Sequence, residues 1–456
     1  MNYPVWDVPW IGSGWIIGAI AIFHIMISHF AVGGGFYLAF AETKARREGR
    51  GDWLEVIRGH SKFFLILTGV FGAVSGVGIW FAIGLASPES TSALIHNFVF
   101  GWAIEWCFFI VEIATAIVYY YTWDRIDPKT HLRLGWLYAG TSWCTLVIIN
   151  GILTFMLTPG DAWLAVAGTG QEASRFWSAF FNPTYWPSLV LRTLICFALA
   201  GVWALLTASR MDGVREPALK AEVIRWSTRW LVPAFLLVPV ALVWYLSAIP
   251  QNSRTLMQAG ISTIGSGLFT QVTRAALVTT MASATLLAVV YFLAWRNPLD
   301  FSPSHAGAVL FLALAATAAT EHAREMIRKP YTVGQYMFSN GVRRSQIAQF
   351  NETGYTTSSP WNHGQMSTGE LMFRGQCMNC HTVDGYRAMR NLMDGRDRRS
   401  IVNIVTMLHE TPATSPYVKF MPPLVGTKEE TDALAGYLDQ LVNGRPGEPV
   451  VARNQR

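Results

Sequence analysis

Eight stretches of this chain are too long and too apolar for a soluble fold. They run over residues 13–41, 63–86, 97–122, 134–157, 188–208, 230–249, 272–295 and 306–325. A helix that crosses a bilayer needs about 20 mostly apolar residues. In hydrocarbon every backbone N–H and C=O must find its partner within the protein, so each stretch is expected as a helix. The fold class that follows is all-α, a polytopic membrane helix bundle of about eight spans. Composition sharpens the boundary. Only 14% of the 456 residues are charged, against about 25% in soluble proteins, and the deficit lies before residue 330.

The loops between the spans alternate in charge. The loop after the first span carries Lys44, Arg46, Arg47, Arg50, Arg58 and Lys62, and the next carries no Lys or Arg. Arg125, Lys129 and Arg133 follow, then Arg175 alone, then Arg210, Arg215, Lys220, Arg225 and Arg229, then Arg254 alone, then Arg296. The positive-inside rule puts the basic loops in the cytoplasm. Both termini are then expected on the periplasmic side of a bacterial inner membrane. The start MNYPVWDVPW has no basic n-region and the apolar run behind it is too long for a signal peptide, so it is expected to stay as the first span. The net charge of +6 follows this topology and implies no nucleic-acid partner.

The chain divides into a membrane domain at 1–330, a polar linker at 331–363 and a small α-helical domain with a tail at 364–456. Of the five Cys, Cys107, Cys144 and Cys196 sit in apolar runs and read as small buried hydrophobes. Cys377, Cys380 and His381 form Cys-x-x-Cys-His. In that spacing both thiols can add to the vinyl groups of one heme while the adjacent imidazole supplies an axial nitrogen. A redox-active Cys pair is the other chemistry the spacing serves. A zinc site would need four ligands, and two more Cys are missing. The segment KFMPPLVGTKEETDALAGYLDQL resembles the distal half of class I cytochromes c, which makes Met421 the expected sixth ligand and Leu434, Tyr437, Leu438 and Leu441 the packing face of the last helix. A Met/His pair raises the heme potential relative to bis-His. Met378, Met389, Met393 and Met407 read as packing, with His409 and His363 as alternative ligands.

Ionisable residues inside spans are costly and count as functional candidates. His24 and His29 are five residues apart, so about 100° per residue puts them roughly 140° apart on the helix. Each can ligate a heme; His29 can instead satisfy a buried carbonyl. Glu105 and Glu112 are seven apart, nearly on one face and about 10 Å apart along the axis, a spacing that suits a proton path or one ligand plus one relay. Glu321 and Glu325 share a face, His322 lies on a neighbouring one, and Arg328 can pair with Glu325 or with a heme propionate.

AIFHIMISHFAVGGGFYLAFAET, the second-span GVFGAVSG, the third-span block ending Thr122-Trp123-Asp124-Arg125, and EMIRKPYTVG together resemble subunit I of the cytochrome bd quinol oxidases over residues 13–335. That resemblance implies a helical protein with hemes near the outer face, oxygen reduction with electrons from quinol, and a related partner subunit. His24 matches the axial ligand of one active-site heme, Glu325 and Arg328 match the pair beside the other b heme, and Glu112 matches the inner proton-path carboxylate. Glu105 matches the outer one with a one-residue slip. The departures are as informative. Arg192 stands where the family has its low-spin heme ligand and Ala276 where it has the partner Met. The outer loop is cut to 249–271, and no ninth helix precedes the final domain.

The expected cofactors are therefore one heme c and one or two hemes b. Three functions stay open: a b/c-type cytochrome passing electrons between membrane hemes and an outside c heme within a respiratory complex; a bd-like terminal oxidase fed through the c heme; and a heme-poor anchor for a cytochrome c. The expected partners are a related membrane subunit or larger respiratory complex, a periplasmic cytochrome or other redox protein, and a quinone.

Overall fold

The computed structural model describes residues 5–251, 253–254, 271–358, 366–415, 417 and 420–444. His363 and most of the 249–271 loop lie outside them. Among the described residues eight helices are long and apolar enough to cross a membrane: α1 (Ser13–Arg47), α2 (Gly51–Ala86), α3 (Val99–Tyr121), α4 (Pro128–Leu157), α5 (Tyr185–Ala208), α6 (Pro217–Ala248), α7 (Gln271–Trp295) and α8 (Pro303–Arg328). Their ends follow local chemistry. α1 finishes on Lys44, Arg46 and Arg47, cations suited to the negative end of the helix dipole. α4 opens with Pro128 in its first turn, and the Asp127 carboxylate accepts from the Lys129 and Thr130 amides at 3.1 and 3.0 Å, satisfying donors the helix cannot.

α1 is the central post, packed on α2, α4, α5 and α8. Its closest approach is to α5. A Cβ on Gly33 would stand 1.9 Å from the Cys196 carbonyl oxygen, so only glycine lets the two backbones meet. Phe30, Tyr37, Phe64 and Tyr138 fill the interior around it. The outward faces keep large apolar side chains, among them Val74, Phe81, Phe100, Leu236, Val243 and Phe292, as surfaces in lipid do. Cys107 lies on such an outward face, not in the core, whereas Cys196 is fully buried.

Beyond α8 the strands β1 (Tyr331–Val333) and β2 (Met337–Phe338) form an antiparallel hairpin. Val333, Tyr336 and Met337 sit in the hydrophobic core of the bundle. Phe338 and Val342 sit in that of the C-terminal domain. The hairpin thus belongs to both cores. After it come α9 (Ile347–Thr353), α10 (Thr368–Gln376), α11 (Met389–Met393), α12 (Arg398–Glu410) and α13 (Lys428–Asn443). α10 and α13 cross so tightly at Gly369 that a Cβ there would stand 2.3 Å from the Ala433 carbonyl oxygen. Leu434, Tyr437, Leu438 and Leu441 are all buried in the same core.

Residues 331–358, read from composition as linker, are tied into this domain by Glu430. Its carboxylate accepts from the Tyr355 amide (2.8 Å), the Thr356 amide (2.8 Å) and hydroxyl (2.6 Å), and the Thr427 amide (3.0 Å). Burial pushes this carboxyl upward, but the bonds from Thr356, Tyr355 and Thr427 outweigh it, and the net shift is down. The stability contributed is full above the ordinary glutamate range and is lost as pH falls through the lowered folded value. Glu430→Gln is expected to cost about 2 kcal/mol at neutral pH and to reduce hydrogen-exchange protection of the Tyr355 and Thr356 amides about 30-fold. Wild-type protection should fall toward the variant's on acidification, while the variant's own should not respond.

Candidate functional site

One end of the bundle gathers most of the ionisable side chains that lie inside it. α1 begins there, α8 ends there, and the C-terminal domain sits over both. The Trp15 ring stacks near His322 of α8 (centroids 6.4 Å apart, 22° between planes) and meets Tyr386 edge-on at 5.6 Å. The Tyr386 amide donates to the Trp10 carbonyl at 2.7 Å, and Arg374 Nη1 bonds Asp7 Oδ2 at 2.7 Å. The segment before α1 is therefore held between bundle and domain.

On α8 the side chains separate into two ion-paired groups. Arg324 Nε donates to Glu321 Oε2 at 2.8 Å. Arg192 of α5, His29 of α1 and Tyr245 of α6 lie within electrostatic range of that pair. One turn on, Glu325 accepts from Arg328 Nη2 at 2.5 Å and from Lys329 Nζ at 3.1 Å. Lys329 Nζ also lies 3.5 Å from Cys380 Sγ. A single ammonium group thus separates the Glu325 carboxylate from a thiol of the Cys-x-x-Cys-His motif. Burial lowers the Lys329 ammonium, but Cys380 and Glu325 raise it by more.

The motif itself follows the end of α10. The His381 amide donates to the Cys377 carbonyl at 2.9 Å, and His381 Nδ1 lies 3.2 Å from the Arg387 carbonyl oxygen. That bond orients the ring and leaves Nε2 for another partner. Burial lowers the His381 imidazole and pushes the Cys377 thiol up to about 12. Gln376 pairs with Val425 in both directions, 2.7 Å from its amide to the carbonyl and 2.9 Å from the backbone N–H to its oxygen. This pins the loop carrying half-buried Met421 to the helix carrying the motif. His409 is engaged through Nδ1 at 3.1 Å from the Leu424 carbonyl oxygen.

His24 and His29 face different neighbours. His24 Nδ1 lies 3.0 Å from the Ser75 hydroxyl of α2, whereas His29 is buried toward Arg192 and Glu321. On α3, Glu105 is half-buried and Glu112 is caged. Tyr138 and Ser142 hydroxyls each donate to Glu112 Oε1 at 3.0 Å, and Thr145 to Oε2 at 3.5 Å.

This donor set suits hemes. With Nδ1 taken by Ser75, His24 offers Nε2 to an iron in a fixed orientation. Among the described residues Nε of Arg192 and Nε of Arg328 are buried donors without a partner, and a heme brings two propionates that accept such bonds. Several participants escaped the sequence reading. Ser75 and Trp15 look like ordinary span residues. Arg324 and Lys329 were visible as charges in TEHAREMIRKP, but which anions they meet depends on the packing of α5 and of the C-terminal domain.

Eight spanning helices with imidazoles, carboxylates and guanidiniums collected at one end define a polytopic membrane protein built to hold prosthetic groups. The family model for cytochrome bd terminal oxidase subunit I matches residues 13–249. The chain belongs to that family, one of membrane respiratory heme proteins with b-type heme. Among solved structures it is similar to the bd oxidase from Geobacillus thermodenitrificans, with 15% sequence identity, a TM-score of 0.59, and coverage of 70% of this chain and 87% of that one. The two share the fold. No curated protein matches the chain.

If His24 is an axial ligand, His24→Ala removes one b-type optical signal, and an unaltered spectrum rules the role out. Ser75→Ala keeps the imidazole but loses its orienting bond. It should retain that heme about tenfold less tightly, within the range set for outer-shell partners, as read by heme loss to an apo-globin acceptor.

Proposed function

We propose that the protein is a membrane-bound b/c-type cytochrome that passes electrons between hemes in the bundle and a c heme attached at Cys377 and Cys380. His381 and Met421 would hold the iron of that heme, with His24 and Glu325 as ligands in the bundle and His29 and Glu105 as further candidates. Arg328 and Arg192 would neutralise propionates. A bound heme supplies one-electron chemistry at iron. The chain's residues supply placement: Ser75 and the Arg387 carbonyl orient imidazoles, and the shared hairpin holds the two domains in register.

One observation carries this reading, the Lys329 ammonium shared by Glu325 and Cys380. It brings the attachment motif against the carboxylate proposed to serve the membrane heme. The site lies at the same end as the first residues of α1, which with the loop charges supports both termini lying on the periplasmic side of an inner membrane. A related membrane subunit, a periplasmic redox protein and a quinone are the proposed partners.

A second reading, a terminal oxidase taking electrons through the c heme, is favoured by the hydrogen-bonded cage around Glu112, since oxygen reduction consumes protons. Pyridine hemochrome spectra separate the cases. Bands of b and c without carbon monoxide binding support the relay. A carbon monoxide-binding heme together with oxygen consumption supports the oxidase. A c signal alone overturns both and leaves a membrane anchor. In Cys377→Ala/Cys380→Ala the c bands should vanish while b bands persist, and ascorbate with a soluble cytochrome should then reduce the b bands at least about tenfold more slowly.

A further inference from the structure

We propose that the segment leading into α5 is a membrane-interface anchor, with the rings of Trp177, Phe181 and Trp186 lying among the headgroups and upper acyl chains of phospholipid in the leaflet nearest the C-terminal domain. The segment reads RFWSAFFNPTYW from Arg175 to Trp186. Phe176–Phe180 form a short helix, and α5 begins at Tyr185. The three rings form a nearly parallel row. Trp177 and Phe181 have centroids 5.8 Å apart with 15° between planes, and Phe181 and Trp186 have centroids 5.9 Å apart with 8°. All three face outward, Trp177 at 65% exposure, Phe181 at 45% and Trp186 at 56%. Single exposed apolar residues are ordinary. A contiguous patch of large rings marks a surface that something covers.

The row is held firmly from behind. Ala179 and Phe180 of the same segment are buried in the core of the bundle. Asn182 is fully enclosed, and its amide nitrogen lies 2.8 Å from Thr154 Oγ1 of α4 and 3.1 Å from the Ala179 carbonyl oxygen. The buried hydroxyls of Thr158 and Thr184 meet at 2.6 Å. Each of these bonds is made away from water, where leaving a polar group unpaired is costly. The backbone that carries the rings is thus fixed with them outward, and their exposure is built in.

Three observations identify the occupant as lipid. Trp186 lies in the first turn of α5, and Val190, four residues on and so on the same stripe, is 40% exposed. The row therefore continues the lipid-facing surface of a span. It begins and ends on Trp, whose ring joins an apolar body to an N–H and suits the boundary between hydrocarbon and water. Arg175 stands exposed at its head with no ion pair among the described residues, and a guanidinium fits a phosphodiester through paired N–H bonds. The connection between α4 and α5 has a second surface. The Trp163 ring meets Tyr336 of the hairpin at 5.1 Å, and Trp163, Phe180 and Tyr336 share one core. One piece of chain thus sets the depth of the bundle in the leaflet and seats the hairpin that carries the C-terminal domain.

Photocrosslinking of the full chain in native membranes tests the anchor. The photoreactive residue p-benzoylphenylalanine is placed in turn at Trp177, Phe181 and Trp186, with Val243 on the outward face of α6 as the lipid-facing reference and exposed Asp432 on α13 as the aqueous one. For rings sunk into the headgroup boundary, phospholipid adducts are expected within about threefold of the Val243 yield and at least about tenfold above the Asp432 yield. Adducts to another polypeptide overturn the anchor in favour of a docking surface for a partner subunit. Yields at the Asp432 level overturn it as well. Where a probe variant fails to assemble, wild type and Trp177→Phe in nanodiscs give a second measure. The fluorescence that Trp177→Phe removes is expected to be quenched at least about twofold by lipid brominated near the carbonyl end of its chains, since an interfacial element lies about 5–10 Å into that boundary. Fluorescence indifferent to the brominated lipid overturns the proposal.

Discussion

The Lys329 ammonium between Glu325 and Cys380 is the contact on which the functional geometry depends. A half-buried ammonium is expensive unless anions or lone pairs surround it. Here Glu325, on the last membrane helix, is the counter-ion, and Cys380 of the C-terminal domain closes the other side, so the ammonium is half-buried only while the two are docked. The hairpin reinforces the same seam with apolar burial, Val333 and Met337 into the bundle and Phe338 into the domain. The segment before α1 closes it from the other side through Asp7, Trp10 and Trp15. A seam built from three independent contacts fixes the position of the C-terminal domain on the bundle, as a tether alone could not.

The charges buried in the bundle divide by how completely they are satisfied. At the basic-loop end, Glu42 has a partner for each oxygen and His131 for each nitrogen, and of the ionisable groups there only the His60 imidazole keeps a buried nitrogen, Nε2, without one among the described residues. At the other end, the guanidinium groups of Arg192 and Arg328 each keep a buried Nε without a partner among the described residues. Leaving such a donor unpaired costs about 1–3 kcal/mol, so an unmet donor beside an imidazole and a carboxylate is better explained by an acceptor that belongs there. Arg192 gains meaning from this. It lies beside Glu321 and Arg324, a charged cluster inside the bundle.

Most of the fold was legible because hydrocarbon solvation admits few alternatives. The eight apolar stretches became eight helices, and the loop charges described their ends. What composition hid was the junction. Residues 331–358 are polar and rich in Gly, Ser, Thr and Asn, which reads as linker, yet the backbone amides of Tyr355 and Thr356 find their partner in Glu430, far along the chain. Within the site, His24, Glu112 and Glu325 stood out as ionisable residues in apolar runs. Glu42 and His131 did not, because each falls just outside the apolar stretch and reads as interfacial; only the wrapping of α3 and α4 around α1 buries them. Tyr119 and Tyr138 are indistinguishable from packing aromatics until their hydroxyls are traced.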